Sequence, residues 1–179
     1  MDAELRKALK LNLILPIFTV GFLCLLSNPI YSQKNRMSVF HDNNGNCGYK
    51  NAKGEILLKP GLFDFCFSDS SEFFVSVAGK NGKIYAINYN TDTLFEIYKI
   101  DNGPDYISDG LFRFINIDKI GYSNFKGEIV IPAKFQCAFP FKNQKAKVSF
   151  YCQKSEFSEY KVPFSDSWFF IDKNGKRVD

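Results

Sequence analysis

Between Lys145 and Phe150 the chain alternates Lys145, Lys147 and Ser149 with Ala146, Val148 and Phe150. A period of two puts one set of side chains in a core and the other in water, so this segment reads as a half-buried strand. Just upstream, Glu128-Ile129-Val130-Ile131 is a β-branched run that stops at Pro132, which has no N–H for a further ladder bond. Before it, Gly121 to Asn124 is a short extended run, and Phe125-Lys126-Gly127 supplies a turn with a glycine where positive φ is needed. Residues 120–150 therefore predict a hairpin, a connection through Phe135, Phe139 and Phe141, and a third strand.

The same grammar recurs. Cys47 precedes Gly54 by seven residues, as Ile120 precedes Gly127 and Trp168 precedes Gly175, while Ile84 stands seven before Thr91 in a copy without the glycine. Units starting near 47, 84, 120 and 168 are spaced by 37, 36 and 48 residues. A near-constant interval of that size marks a repeat architecture. The fourth unit position after each start holds Asn51, Asn88, Asn124 or Asp172, side chains that bond backbone two residues on and set up turns.

These residues carry a resemblance. Gly48-Tyr49 with Lys53-Gly54, Gly121-Tyr122 with Lys126-Gly127 and Ile129-Val130-Ile131-Pro132, Asp109-Gly110-Leu111, and Trp168 with Ile171 to Lys176 resemble the WG (KWG) repeat of bacterial proteins over residues 37–179. The Trp-Gly pair itself is intact nowhere: Phe169 follows Trp168, and Gly48 and Gly121 follow Cys47 and Ile120. The resemblance implies an all-β repeat of largely unassigned function, often in exported or surface proteins.

The expected fold is accordingly all-β, about four degenerate tandem copies of short antiparallel hairpins or three-stranded units. Met37 to Phe40 followed by Asn44 to Cys47 lines up with Val75 to Ile84, so the array opens on what reads as the last strand of an incomplete unit. The final unit has one hairpin arm before Asp179. An open twisted stack is the preferred arrangement. Pairing of the two fragments into a small propeller-like ring is the alternative. The long last interval is taken up by residues 152–167, a polar insertion punctuated by Phe157, Tyr160 and Phe164. Together with Trp168 these form the candidate binding surface, since an insertion in one repeat maps to a loop on one face. The plainer reading is a tolerated loop without a partner.

Ahead of the repeats, Asp2, Glu4, Arg6, Lys7 and Lys10 precede Leu11 to Ile30, which carries no charge. Residues 1–32 read as a signal peptide, with Ser32 a small residue near its end and 33–179 the β domain. An uncleaved membrane anchor through residues 11–31 is the alternative, weakened by Asn12, Pro16 and Asn28. A lipidated Cys24 is a third reading.

Composition changes this picture little. Aromatics make up 17% of the chain, with 20 Phe and 9 Tyr, which suits strands that must fill space between small units. Net charge is +4, and because residues 1–32 hold three basic and two acidic side chains the remainder carries +3. Basic and acidic residues read as interspersed, so no nucleic-acid partner and no polybasic membrane patch is expected.

Cys47, Cys66, Cys137 and Cys152 permit disulfides in three pairings, but Cys47 occupies a position held elsewhere by Ile84, Ile120 and Trp168, which favours a buried free thiol. Their spacings match no zinc pattern. His41 is the only histidine and lies in a turn-rich segment. Asp64, Asp69, Glu72, Asp101, Asp105 and Asp109 fall at junctions and turns, where solvated loop carboxylates are expected before a hydrolase pair. Asn102 to Asp105 and Asn43-Asn44-Gly45 likewise read as turn chemistry before calcium ligands. No catalytic residue, metal or cofactor is expected. The sequence reads as an exported protein-interaction or structural module at the cell envelope. Its rival is a carbohydrate-binding module in which Trp168, Tyr160 or Tyr106 stacks on sugar rings, with a hydrolase third.

Overall fold

The computed structural model describes residues 35–154 and 163–178, and these form strands, turns and bends. Four three-stranded antiparallel meanders follow one another. The first is β1 (Met37–His41), β2 (Cys47–Lys50) and β3 (Ile56–Leu58), and its connector carries β4 (Phe65–Cys66) and β5 (Ser70–Ser71). The second is β6 (Phe74–Ala78), β7 (Ile84–Asn88) and β8 (Thr93–Ile97), followed by a ribbon of β9 (Lys99–Ile100) and β10 (Gly103–Pro104). The third is β11 (Leu111–Asn116), β12 (Lys119–Asn124) and β13 (Ile129–Phe135), with β14 (Cys137–Ala138) in its connector. In the fourth, β15 (Ala146–Ser149) is separated by the ribbon β16 (Gln153–Lys154) and β17 (Pro163–Phe164) from β18 (Phe169–Ile171) and β19 (Arg177–Val178).

Grouped by pairing, the strands start one strand earlier than the sequence motif does. First strands begin at Met37, Phe74, Leu111 and Ala146, intervals of 37, 37 and 35 residues. β1 is thus the first strand of a three-stranded meander by pairing, and the last strand of a unit counted from second strand to following first strand, as the sequence motif is. The insertion lies inside the fourth copy, where it lengthens the hairpin between β15 and β18. Sequence motifs start at the second strand because that strand and its turn carry the most constrained residues.

Among the described residues β1 has β2 and β5 as neighbours, and β18 has β15 and β19, so the first and fourth meanders do not pair there and the described array is open. The two central meanders join where β8 pairs with β11 at Ile97–Phe114 and Glu96–Ile115, giving a seven-stranded sheet. Each core lies between successive meanders. Met37, Tyr49 and Leu58 pack with Val75, Val77 and Ile87; Ile84, Ala86, Phe95 and Ile97 pack with Phe112 and Phe114; Tyr122, Ile131 and Phe135 pack with Ala146, Val148 and Ile171. Strand alternation makes this work, because Val75 and Val77 on β6 face one neighbour while Ile84 and Ala86 on β7 face the other.

The turn between second and third strands is built alike in all four copies. The Oδ1 of Asn51 accepts from the N–H groups of Lys53 and Glu55, Asn124 from Lys126 and Glu128, Asp172 from Asn174 and Lys176, and Asn88 from Asp92. The residue three further on has positive φ: Gly54, Gly127 and Gly175 at 84°, 83° and 76°, and Thr91 at 70° in the copy that lost its glycine. Gly121 has a second reason. A Cβ there would sit 2.6 Å from the Ile131 carbonyl oxygen and 2.7 Å from the Ala133 nitrogen, because β13 bulges towards β12.

The cysteines, expected as buried free thiols, are instead paired as Cys47–Cys66 and Cys137–Cys152, with Cα separations of 6.2 and 5.9 Å. One member of each pair sits on β4 or β14, the short strands that pair with the first strand of the following meander. The pairing follows from how connectors fold back, which interval counting does not register. Tyrosines at the Gly-Tyr positions serve the same connectors, the Tyr49 hydroxyl donating to the Ser68 carbonyl at 2.7 Å and that of Tyr122 to Phe139 at 2.8 Å.

Candidate functional site

The connector between the third and fourth meanders makes a tight loop from Phe139 to Lys145. Asn143 and Gln144 adopt positive φ of 54° and 66°, and the Lys142 and Lys145 backbones bridge across the turn. Two bonds tie the loop to the entry of β11: the Gln144 N–H donates to Asp109 Oδ2 at 2.7 Å, and the Ser108 hydroxyl donates to the Phe141 carbonyl. Phe141 is buried against Tyr122, their ring centroids 4.8 Å apart. With the loop so fixed, the rings of Tyr106, Phe139 and Phe170 and the exposed Lys142 and Lys147 surround a groove of about 550 Å³. Trp168 is next to it, 5.3 Å from the Phe139 ring and 5.2 Å from Lys147 Nζ.

A second groove, of about 510 Å³, lies over β11 and β8. Its arginine and its lysine are each paired with a carboxylate. Arg113 Nε and Nη2 donate to the two Asp105 oxygens at 2.9 and 2.8 Å, Nη1 donates to the Ala138 carbonyl at 2.8 Å, and the guanidinium lies 4.2 Å from the Tyr98 ring centroid. Lys83 reaches Glu96 at 2.7 Å, and this hydrogen bond raises the lysine pKa. Asp105, expected as a solvated turn carboxylate, is therefore buried in a structural ion pair: a buried arginine on β11 needs a partner, and the ribbon from β9 to β10 delivers it.

The sequence-predicted surface is divided. Phe164 is 55% exposed on β17, and Trp168 is half-buried beside Phe139. Phe157 and Tyr160 lie outside the described residues. At the root of the insertion the Ser149, Ser165 and Ser167 hydroxyls bond one another, Ser149 to Ser165 at 2.8 Å. Tyr106, singled out as a sugar-stacking residue, is 58% exposed and lines the loop groove with Phe170 and Phe139 at 44% and 38%. His41 is exposed as the last residue of β1. Among the described residues no three His, Cys, Asp or Glu side chains are grouped to hold a metal, and no helix is long and apolar enough to cross a membrane.

The lysines of the groove were missed. Residues 129–155 contain Lys134, Lys142, Lys145, Lys147 and Lys154 and no acidic residue, a local imbalance that the overall impression of interspersed charge conceals.

An open stack of small antiparallel meanders with nearest-neighbour cores defines the class: a β-repeat protein. Residues 120–150 match the family described as WG containing repeat, and the chain carries that repeat there. The matched stretch runs from β12 through β13 and β14 to the end of β15, so the sequence unit spans two strands of one meander and the first strand of the next. No curated protein matches the chain.

Proposed function

We propose that this protein is an exported, non-catalytic WG-repeat module that holds a protein partner or a structural contact at the bacterial cell envelope. The observation that carries the reading is the pairing of all four cysteines of residues 33–179 into two disulfides. Disulfides persist in oxidising compartments and are rare where thiols are kept reduced. They agree with a charge-free segment from Leu11 to Ile30 acting as an export signal. The loop groove favours recognition over chemistry, since its described lining offers rings and lysines but neither a carboxylate pair nor a nucleophile with a base. The exposed Tyr106 keeps carbohydrate recognition as the second reading.

The test is to express the full chain in a bacterium, fractionate the cells, and label free thiols before and after reduction. The expected result is a shortened chain in the envelope or exterior, unlabelled until reduced. A full-length chain recovered in the cytosol with all five thiols reactive overturns the reading.

A further inference from the structure

We infer that the groove between the third and fourth meanders is a docking site for an acidic polypeptide segment carrying aromatic or aliphatic anchors. This deepens the protein-interaction reading and rests on it. Tyr106, Phe139 and Phe170 present three exposed rings around one depression, and such clusters on a soluble chain mark contact sites. Lys142 and Lys147 are exposed on its rim, and no carboxylate belongs to its described lining. Register keeps the two chemistries together: Lys147 on β15 stands directly across from Phe170 on β18.

The inventory of hydrogen-bonding groups separates this occupant from others. Lysine donates and cannot accept, so the groove prefers a ligand rich in acceptors and negative charge. A neutral sugar is held through paired donors and acceptors, whereas the charged groups on this groove are lysines, which only donate. A phosphate polymer is served by an extended basic stripe, whereas these lysines bracket a short aromatic pocket. Carboxylates alternating with bulky side chains fit both features. The bonds from Gln144 to Asp109 and from Ser108 to Phe141 hold the loop in place beforehand, which reduces the ordering cost of binding.

Trp168 is the single tryptophan and touches Phe139 and Lys147, so its emission reports on the groove. The full chain is titrated with a random glutamate–tyrosine copolymer, polygalacturonate, single-stranded DNA and a lysine–tyrosine copolymer. The expected result is saturable binding of the glutamate–tyrosine copolymer, weakened about tenfold by Lys142→Glu with Lys147→Glu, less by the matching glutamine variants, and several-fold by Tyr106→Ala. Thermal unfolding of each variant verifies folding. Equal or tighter binding of polygalacturonate or DNA overturns the proposal. So does copolymer binding that is indifferent to charge reversal, absence of copolymer binding, or self-association of the chain through this face. Cell fractionation is read separately, so failure here leaves the export reading standing or falling on its own result.

Discussion

At single positions, backbone demands outweigh side-chain identity. Asn51, Asn88, Asn124 and Asp172 recur because one side-chain oxygen must accept the N–H groups that a tight turn leaves unpaired. Thr91 shows the cost of departing from the pattern: a β-branched residue is held at φ 70°, a region that disfavours it by about 1 kcal/mol or more. Thr91→Gly is expected to raise the stability of the protein by roughly that amount, seen as a higher denaturant midpoint with an unchanged slope. Gly121→Ala should do the reverse by about 2 kcal/mol or more, because the new methyl meets the backbone of β13 as well as the buried Phe114 ring. Burial pushes the Tyr49 phenol up to about 12. Its neutral form is thus favoured by folding, so the stability it contributes is complete below about pH 10 and is lost as pH rises towards 12. Chemical denaturation across that window should show a decline that Tyr49→Phe makes shallower.

At the level of elements, much was legible and some was not. Strand character, the two kinds of turn and the interval near 37 residues could be read from Val75 to Ile84 and Ile120 to Phe150, because alternation and turn chemistry are local properties. The grouping of strands into meanders was not legible, since β1 has no Gly-Tyr signature and its membership depends on pairing with β2 across a loop. Three further features depend on connector paths, which no local pattern encodes: the partners of Cys47 and Cys137, the burial of Asp105 against Arg113, and the approach of Tyr106 to Phe170. Arg113 stands within the apolar strand sequence Leu111-Phe112-Arg113-Phe114, and that placement alone signalled a buried charge in want of a partner. Asp105→Ala leaves the guanidinium uncompensated and is expected to cost about 3–5 kcal/mol. Replacing both, Asp105→Leu with Arg113→Met, should recover most of that loss in urea unfolding.

Over the whole molecule, stability is shared among three interfaces between neighbouring meanders. Meanders one and four contribute to no common core cluster. A nearest-neighbour arrangement of this kind predicts local response to damage. Phe141→Ala should cost about 3–5 kcal/mol at the interface of the third and fourth meanders. Hydrogen exchange would rise there while Val75 and Val77, at the other end of the stack, keep their protection. An open array also leaves connectors free to specialise, and the connector from Gln136 to Lys145 is the one that assembles rings and lysines into a groove.

The central claim is that connectors fold back onto the meanders in one fixed manner within an oxidising compartment. Mapping the disulfides by proteolysis and mass spectrometry, on protein recovered from its native location without reduction, tests both parts at once. The fold predicts peptides linked only as Cys47–Cys66 and Cys137–Cys152. A cross-link such as Cys47–Cys137, or four free thiols in protein so recovered, would contradict it.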